Sequence, residues 1–275
     1  MNKKDLRPAL LALVLTWGGL LCASPIRVAT THDSRAINFD AHSGLLDLHK
    51  QLKVLVFSKT AGYHHQSIAA GNIAIQKLGL ENQFGVDTTS DASKFTPANL
   101  KQYAAIIFLS TTGKASALFT EDEKNALMQY IEHGGGYVGI HAATDCCYDW
   151  QWYGNLSGAY FSAHPSQQEA VLDVVDSTNI ATRHLPRHWK RKDEWYNFKW
   201  MANDLHVLIK IDEKSYDAGP AKMGDNHPMA WYHNYDGGRA FYTELGHTDE
   251  SYTDPLYLKH ILGGIEYAMG KTSDK

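Results

Sequence analysis

Fifteen histidines in 275 residues matter only where the chain puts them. Three segments set imidazoles directly after runs that read as β-strands, two of them with carboxylates close behind. Thr60-Ala61-Gly62-Tyr63 leads from the run 53–58 to His64 and His65. The stretch Gly134 to Asp145 (GGGYVGIHAATD) ends a short apolar strand in His141, with Asp145 close behind. Gly246 joins the run 239–245 to His247, Asp249 and Glu250. Open α/β sheets gather their ligands at the carboxyl ends of their strands. If these strands are parallel neighbours, the three loops meet in one crevice. His164-Pro165 and Asp193-Glu194-Trp195-Tyr196 can reach in from elsewhere.

Two chemistries fit such a set. In one, His64, His141 and His247 with a carboxylate hold a single divalent metal ion and leave a position open for substrate. No HExxH-like spacing is present, so this reading rests on convergence in space. In the other, the groups work without metal, with one His as base and one carboxylic acid as proton donor. Glu194 beside Trp195 is expected to have a raised pKa, as a general acid requires. Each residue also has a plain structural reading. His64 or His65 can cap a helix, His164 can be a turn residue, and His141 or His247 can be buried and satisfied by backbone. No nucleotide cofactor is expected. The ring-dense run Tyr148 to Gly154 and the later Trp231-Tyr232 suit a small carbohydrate, whose C–H faces stack on aromatics. On this reading Trp150, Trp152, Tyr153 and Trp231 contact substrate together with His64 and His164. Some of these rings must instead be core.

The elements that position these residues alternate. KVLVFS (53–58) is β-rich, and Ser67 to Leu78 has apolar residues at helical spacing. Phe84 to Thr88 is a weak strand, and Thr96-Pro97 opens a short helix with Thr as N-cap. AAIIFLS (104–110) is apolar throughout, as a strand buried on both faces should be. Thr120-Glu121-Asp122-Glu123 has a capping-box pattern, and the strand 136–141 follows. Strands separated by helices predict an α/β fold with a doubly wound, mainly parallel sheet. The second half changes character, with strand-like runs at 170–175, 195–198, 206–211, 228–233 and 239–245. Asp236-Gly237-Gly238 turns the last two into a hairpin, and a closing helix spans 256–269. The basic run Arg187-His188-Trp189-Lys190-Arg191-Lys192 reads as a solvated loop.

The N-terminus reads as a signal peptide over residues 1–23: Lys3, Lys4 and Arg7, then an apolar stretch too short to span a bilayer comfortably, then Ala23. This predicts a periplasmic or secreted protein, or a lipoprotein anchored through Cys22, with no transmembrane segment once the signal is removed. Residues 24–52 form an irregular lead-in, and 53–270 a single domain. The formal charge is −4 and no basic patch stands out, which argues against nucleic acid as a partner. Of the 3 cysteines, Cys146 and Cys147 are adjacent, and two buried or loop thiols are favoured over a vicinal bridge.

Taken together, Gly62-Tyr63-His64-His65, Gly134 to Asp145, Asp149 to Pro165, Glu194-Trp195-Tyr196, Pro228 to Tyr232 and Gly238 to His247 resemble the trehalose-utilisation (ThuA-like) family. The resemblance implies a flavodoxin-like fold related to class I glutamine amidotransferases, with a β-rich C-terminal addition. Those enzymes carry a Cys nucleophile at the elbow where His141 stands, so glutaminase chemistry is not expected. The resemblance also implies an exported carbohydrate-catabolic enzyme acting on glycosides, above all 3-keto glycosides, by elimination or hydrolysis, with His141 as base or ligand, Glu194 or Asp145 as acid, and His247 and His64 as electrophilic or ligand groups. A non-catalytic sugar-binding envelope protein and a metal-dependent sugar isomerase or epimerase are the alternatives.

Overall fold

The strand Ala105–Leu109 is buried along its whole length, and its alternate residues face two different cores. Ala105, Ile107 and Leu109 join one cluster; Ile106 and Phe108 join the other. That is the packing its unbroken apolar sequence requires. The computed structural model describes residues 51–271. The signal peptide, Cys22 and nearly all of the lead-in lie outside these residues.

In chain order the elements are β1 (Lys53–Phe57), α1 (Ile68–Glu81), β2 (Gly85–Thr89), α2 (Pro97–Leu100), β3 (Ala105–Leu109), α3 (Ala115–Leu118), α4 (Glu121–Glu132) and β4 (Gly136–Ile140). They continue with α5 (Gln151–Ser157), β5 (Ala159–Ala163), β6 (Gln168–Val174), β7 (His188–Asp193), β8 (Asn197–Met201), β9 (His206–Ile211), β10 (Pro228–Tyr235), β11 (Gly238–Thr243) and α6 (Pro255–Ala268). One sheet has the order β2-β1-β3-β4-β11-β10-β9-β6-β7. Its strands are parallel from β2 to β11 and antiparallel beyond. The β-rich second half therefore extends the same sheet, apart from the small β5–β8 pair. α1 and α6 cover one face and α2 to α5 the other, which makes the parallel half doubly wound.

Local signals place the helices. Thr120 Oγ1 accepts from Glu123 N–H while the Glu123 carboxylate accepts from Thr120 N–H, completing the capping box at α4. Thr96 caps α2, with Pro97 at its first turn. Ser67, before α1, makes no cap; its hydroxyl donates instead to the Gly246 carbonyl.

Two expectations are corrected. Arg187 to Lys192 is not a solvated loop, because His188–Asp193 is a strand with strictly alternating exposure. Its outward His188 and Lys190 pair with Asp173 and Glu169 of β6, while Trp189, Arg191 and Asp193 point inward. The run Trp195 to Phe198 is not a strand from its start; β8 begins at Asn197.

Two features of the core make measurable predictions. Gly136 starts β4 where a Cβ would lie 2.1 Å from the Ala268 carbonyl, so the end of α6 can close on the sheet only over a glycine. Gly136→Ala is expected to cost at least about 1–3 kcal/mol, the usual range for overpacking, read as a lower urea midpoint. His260 sits wholly buried between the Ala181 carbonyl and Thr243 Oγ1. Burial lowers its pKa from 6.5 to about 3. The unfolded chain therefore takes up this proton below pH 6.5 while the folded chain resists it, so stability falls as pH drops from 6.5 toward 3. Urea midpoints measured across that window should decline, and His260→Gln should flatten the decline.

Candidate active site

The register of the parallel half places the site. β11 lies beside β4, with Thr243 opposite Ile140, so the residues after both strands emerge together. His141 follows β4 directly and adopts φ +50, a left-handed conformation that turns its side chain sharply out of the strand. Its carbonyl accepts from the Tyr242 hydroxyl at 2.8 Å. Its Nδ1 lies 2.8 Å from the Glu244 main-chain carbonyl. A carbonyl only accepts, so Nδ1 carries the proton and Nε2 presents its lone pair to the site.

Three other groups meet that lone pair. His247 Nδ1 lies 3.0 Å from His141 Nε2, and Glu194 Oε2 lies 3.6 Å from it. Glu194 Oε2 is also 3.0 Å from His247 Nδ1. The His65 ring stands edge-on to both imidazoles, with centroids 4.7 Å from His141 and 5.2 Å from His247. One ligand atom from each of His65, His141, Glu194 and His247 falls within 4.8 Å of the others.

Asp193 supports this cluster from behind. Its buried carboxylate accepts the main-chain N–H groups of Glu194, Gly246 and His247 and the Ser251 hydroxyl. Arg191 reaches the same carboxylate and also binds Ser251 and Asp254. The carboxyl end of β7 is thereby tied to the loop after β11.

The carboxyl groups differ in charge state. Burial alone would push Glu194 up, but the adjoining imidazoles of His141 and His247 outweigh it and hold the carboxyl well below its usual range. The expectation of a raised Glu194 pKa is thus reversed; Trp195 turns away and donates its indole N–H to the Gln168 carbonyl. Asp145 behaves as Glu194 was expected to. Burial raises it, against the Tyr148 hydroxyl, which donates to Oδ1 at 2.7 Å. Glu244 is enclosed completely; burial and the charge of Asp193 push it well above the carboxylate range. His65 is lowered to about 3 by burial and by repulsion from the neighbouring imidazoles. Burial pulls His247 down, but Glu194 more than reverses this and leaves it raised.

The cluster opens into a cavity of about 300 Å³ walled by Tyr63, Asp145, Phe161, His164 and Tyr196. His164 Nδ1 lies 3.1 Å from Glu194 Oε1. Thus His141, Asp145, His164, Glu194 and His247 come together as the sequence suggested. His64 does not join them: it is exposed, with Nδ1 3.1 Å from Thr60 Oγ1, and the adjacent His65 takes its place. The expected aromatic contacts also fall elsewhere. Tyr153 and Trp231 are fully buried in the core, where Tyr153 donates to the Ala143 carbonyl and Trp231 stacks on Tyr242. Trp150 and Trp152 stack on each other away from this cavity, and Trp152 donates to Asp236. The rings that do line the cavity are Tyr63, Phe161 and Tyr196. Glu244 was not singled out from the sequence, although a carboxylate inside the apolar run Ala240 to Leu245 was itself a signal.

The donor set suits a divalent cation. Two ligands about 2.0 Å from a tetrahedral metal lie about 3.3 Å apart, and the three measured separations, 3.0, 3.0 and 3.6 Å, bracket that value. His65 Nδ1 is buried without a hydrogen-bond partner among the described residues. Cys146 and Cys147 are free and buried, and belong to the core rather than the cluster.

No curated protein matches the chain. Among solved structures, a ThuA-like protein from Bacteroides uniformis is 25% identical, with a TM-score of 0.68, over 81% of this chain and 93% of that one. A ThuA-like protein from Parabacteroides merdae is 21% identical, with a TM-score of 0.66, over 82% and 92% of the two chains. A β-galactosidase from Rahnella sp. R3 shares the fold at 14% identity and a TM-score of 0.52, over 78% of this chain but 30% of its own. The ThuA family model, described as trehalose utilisation, matches residues 53–268. With that match spanning nearly all the described residues, the chain belongs to the ThuA family.

Proposed function

We propose that the protein is an exported enzyme that cleaves glycosides, with 3-keto glycosides as the substrate class, at the cleft holding His65, His141, Glu194 and His247. The observation that carries this reading is the convergence of three imidazoles and an ionised carboxylate beneath a cavity walled by aromatic rings. Binding alone would need the rings but not four titratable groups aimed at one point. The family description supports the carbohydrate class, and the basic and apolar leader at 1–23 supports export.

His65, His141, Glu194 and His247 would hold one divalent cation. Such an ion supplies Lewis-acid stabilisation of negative charge developing on a ring ketone oxygen. The remaining steps fall to the cavity walls. The His164 imidazole takes the C2 proton, made acidic by the neighbouring ketone. The bond from C1 to the glycosidic oxygen breaks, its electron pair leaves with that oxygen, and Asp145 protonates it. The raised Asp145 carboxyl suits the role of donor. Water added later across the resulting double bond completes net hydrolysis. Tyr196 packs against both His141 and Phe161, with centroids at 4.5 and 4.2 Å, and stiffens the floor beneath the ring.

Incubating the purified protein with glycosides and their 3-keto forms, with and without chelator, tests this reading. Release of the aglycone from 3-keto forms only, abolished by chelator and restored by a divalent cation, is expected. His141→Ala should lower turnover at least about a hundredfold, the scale of losing a positioned group. Binding without product, in every sugar and metal combination, would instead identify a sugar-binding protein. Asp193→Asn places an NH₂ group among donors and should cost about 3–5 kcal/mol while lowering metal affinity. Full activity with unchanged melting would remove Asp193 from its supporting role.

A further inference from the structure

A second cavity, of about 320 Å³, adjoins the one above the cluster. The two share Tyr63, Gln167 and His247 as a common wall. Each is at the low end of small-molecule sites, about 300–1,000 Å³, so each has room for one hexose ring. Their linings differ. The first has the rings Phe161 and Tyr196 beside the cluster; the second is built from Gln66, Gln167, Thr248, Asp249 and Glu250. Amides, a hydroxyl and carboxylates are the groups that engage adjacent sugar hydroxyls. Tyr63 stands between the two, 66% exposed and, among the described aromatic rings, touched edge-on only by His65, which leaves a face free for a sugar.

We propose that this second cavity is a subsite for the sugar on the far side of the scissile bond, and that it selects that ring by charge. The reacting ring occupies the aromatic cavity, the glycosidic bond passes over His247, and the leaving ring lies on Tyr63 with its hydroxyls toward Gln66, Gln167, Asp249 and Glu250. Among the described residues, no Lys or Arg lines either cavity. Two carboxylates with no cation among the lining residues favour a neutral or amino sugar and oppose a uronate, whose own carboxylate would be desolvated against like charge. The inference rests on the reading of the first cavity as the place where a glycoside reacts.

The test compares wild type, Gln66→Ala and the double variant Asp249→Asn/Glu250→Gln. The probes are trehalose, the methyl α-glucoside and a disaccharide whose leaving ring is a glucuronate, each as its 3-keto form, titrated by calorimetry. Wild type should bind trehalose more tightly than the methyl glycoside and the uronate least well of the disaccharides. Gln66→Ala should cut the ratio of trehalose to methyl glycoside affinity about tenfold, the equivalent of one or two lost hydrogen bonds. Asp249→Asn/Glu250→Gln should narrow the gap between trehalose and the uronate by a similar factor. If wild type binds the methyl glycoside as tightly as trehalose, and neither variant changes a ratio, the second subsite is overturned while the reading of the first cavity stands. If wild type binds none of the three, both fall together.

Discussion

An ionised carboxylate with no access to water is costly unless donors surround it, and Asp193 is surrounded by five. Three are main-chain N–H groups, of Glu194, Gly246 and His247; the others belong to Ser251 and Arg191. The need to satisfy that charge joins the end of β7 to the loop after β11, two segments from opposite sides of the antiparallel half. Because the bonds run to backbone, they position His247 and Glu194 more rigidly than contacts between long side chains would. Arg191 extends the same logic outward. Its guanidinium lies over Trp189 and Tyr257 and binds Asp254 at the start of α6. The sheet edge, the closing helix and the site thus share one buried charge network.

Three carboxyl groups near the cluster are driven to different states by their surroundings. Glu194 has imidazoles against it and stays ionised. Asp145 is half-enclosed, with one tyrosine hydroxyl in support, and is raised. Glu244 is fully enclosed beside the charge of Asp193, accepts only the Tyr196 N–H at Oε1, and is raised furthest; its other oxygen is buried without a partner. Separated states of this kind divide labour between groups that are chemically alike. The ionised member faces the cluster, and the raised Asp145 lies across the cavity where a proton can be delivered.

Much of the scaffold was legible because its signals are local. Capping boxes, Pro at a first helical position, an unbroken apolar strand and an Asp-Gly turn each act within a few residues. The segments that converge were also legible, since the βα alternation places strand ends together before any side chain is known. Individual side chains were harder. His64 and His65 differ by one position, and only the turn between β1 and α1 decides which faces inward. Tyr153 and Trp231 have the composition of sugar contacts, yet sheet and helix periodicity send both into the core. Glu194 sits beside Trp195 in sequence, but adjacent residues in extended chain point to opposite sides, so Trp195 cannot desolvate it as expected. β7 was missed because its basic residues looked like a loop; their alternation with Trp189 and Arg191 was the better guide.

The elbow at His141 depends on the groups packed around it. A non-glycine residue at φ +50 is strained, at a cost of about 1–3 kcal/mol. The surroundings sustain it: the Tyr242 hydroxyl binds the His141 carbonyl, the Glu244 carbonyl binds Nδ1, and Gly139 lets Tyr137 and Tyr242 close in beneath. What the strain secures is direction. It lifts one side chain off the end of a buried strand and aims it into the crevice where the sheet turns from parallel to antiparallel. A thiol aimed there would be a nucleophile. An imidazole with Nδ1 tied to a carbonyl has one lone pair and one direction in which to use it, toward Glu194 and His247. The backbone geometry thus fixes where the side chain stands, and the residue type decides what that position could do: attack, accept a proton or hold a cation.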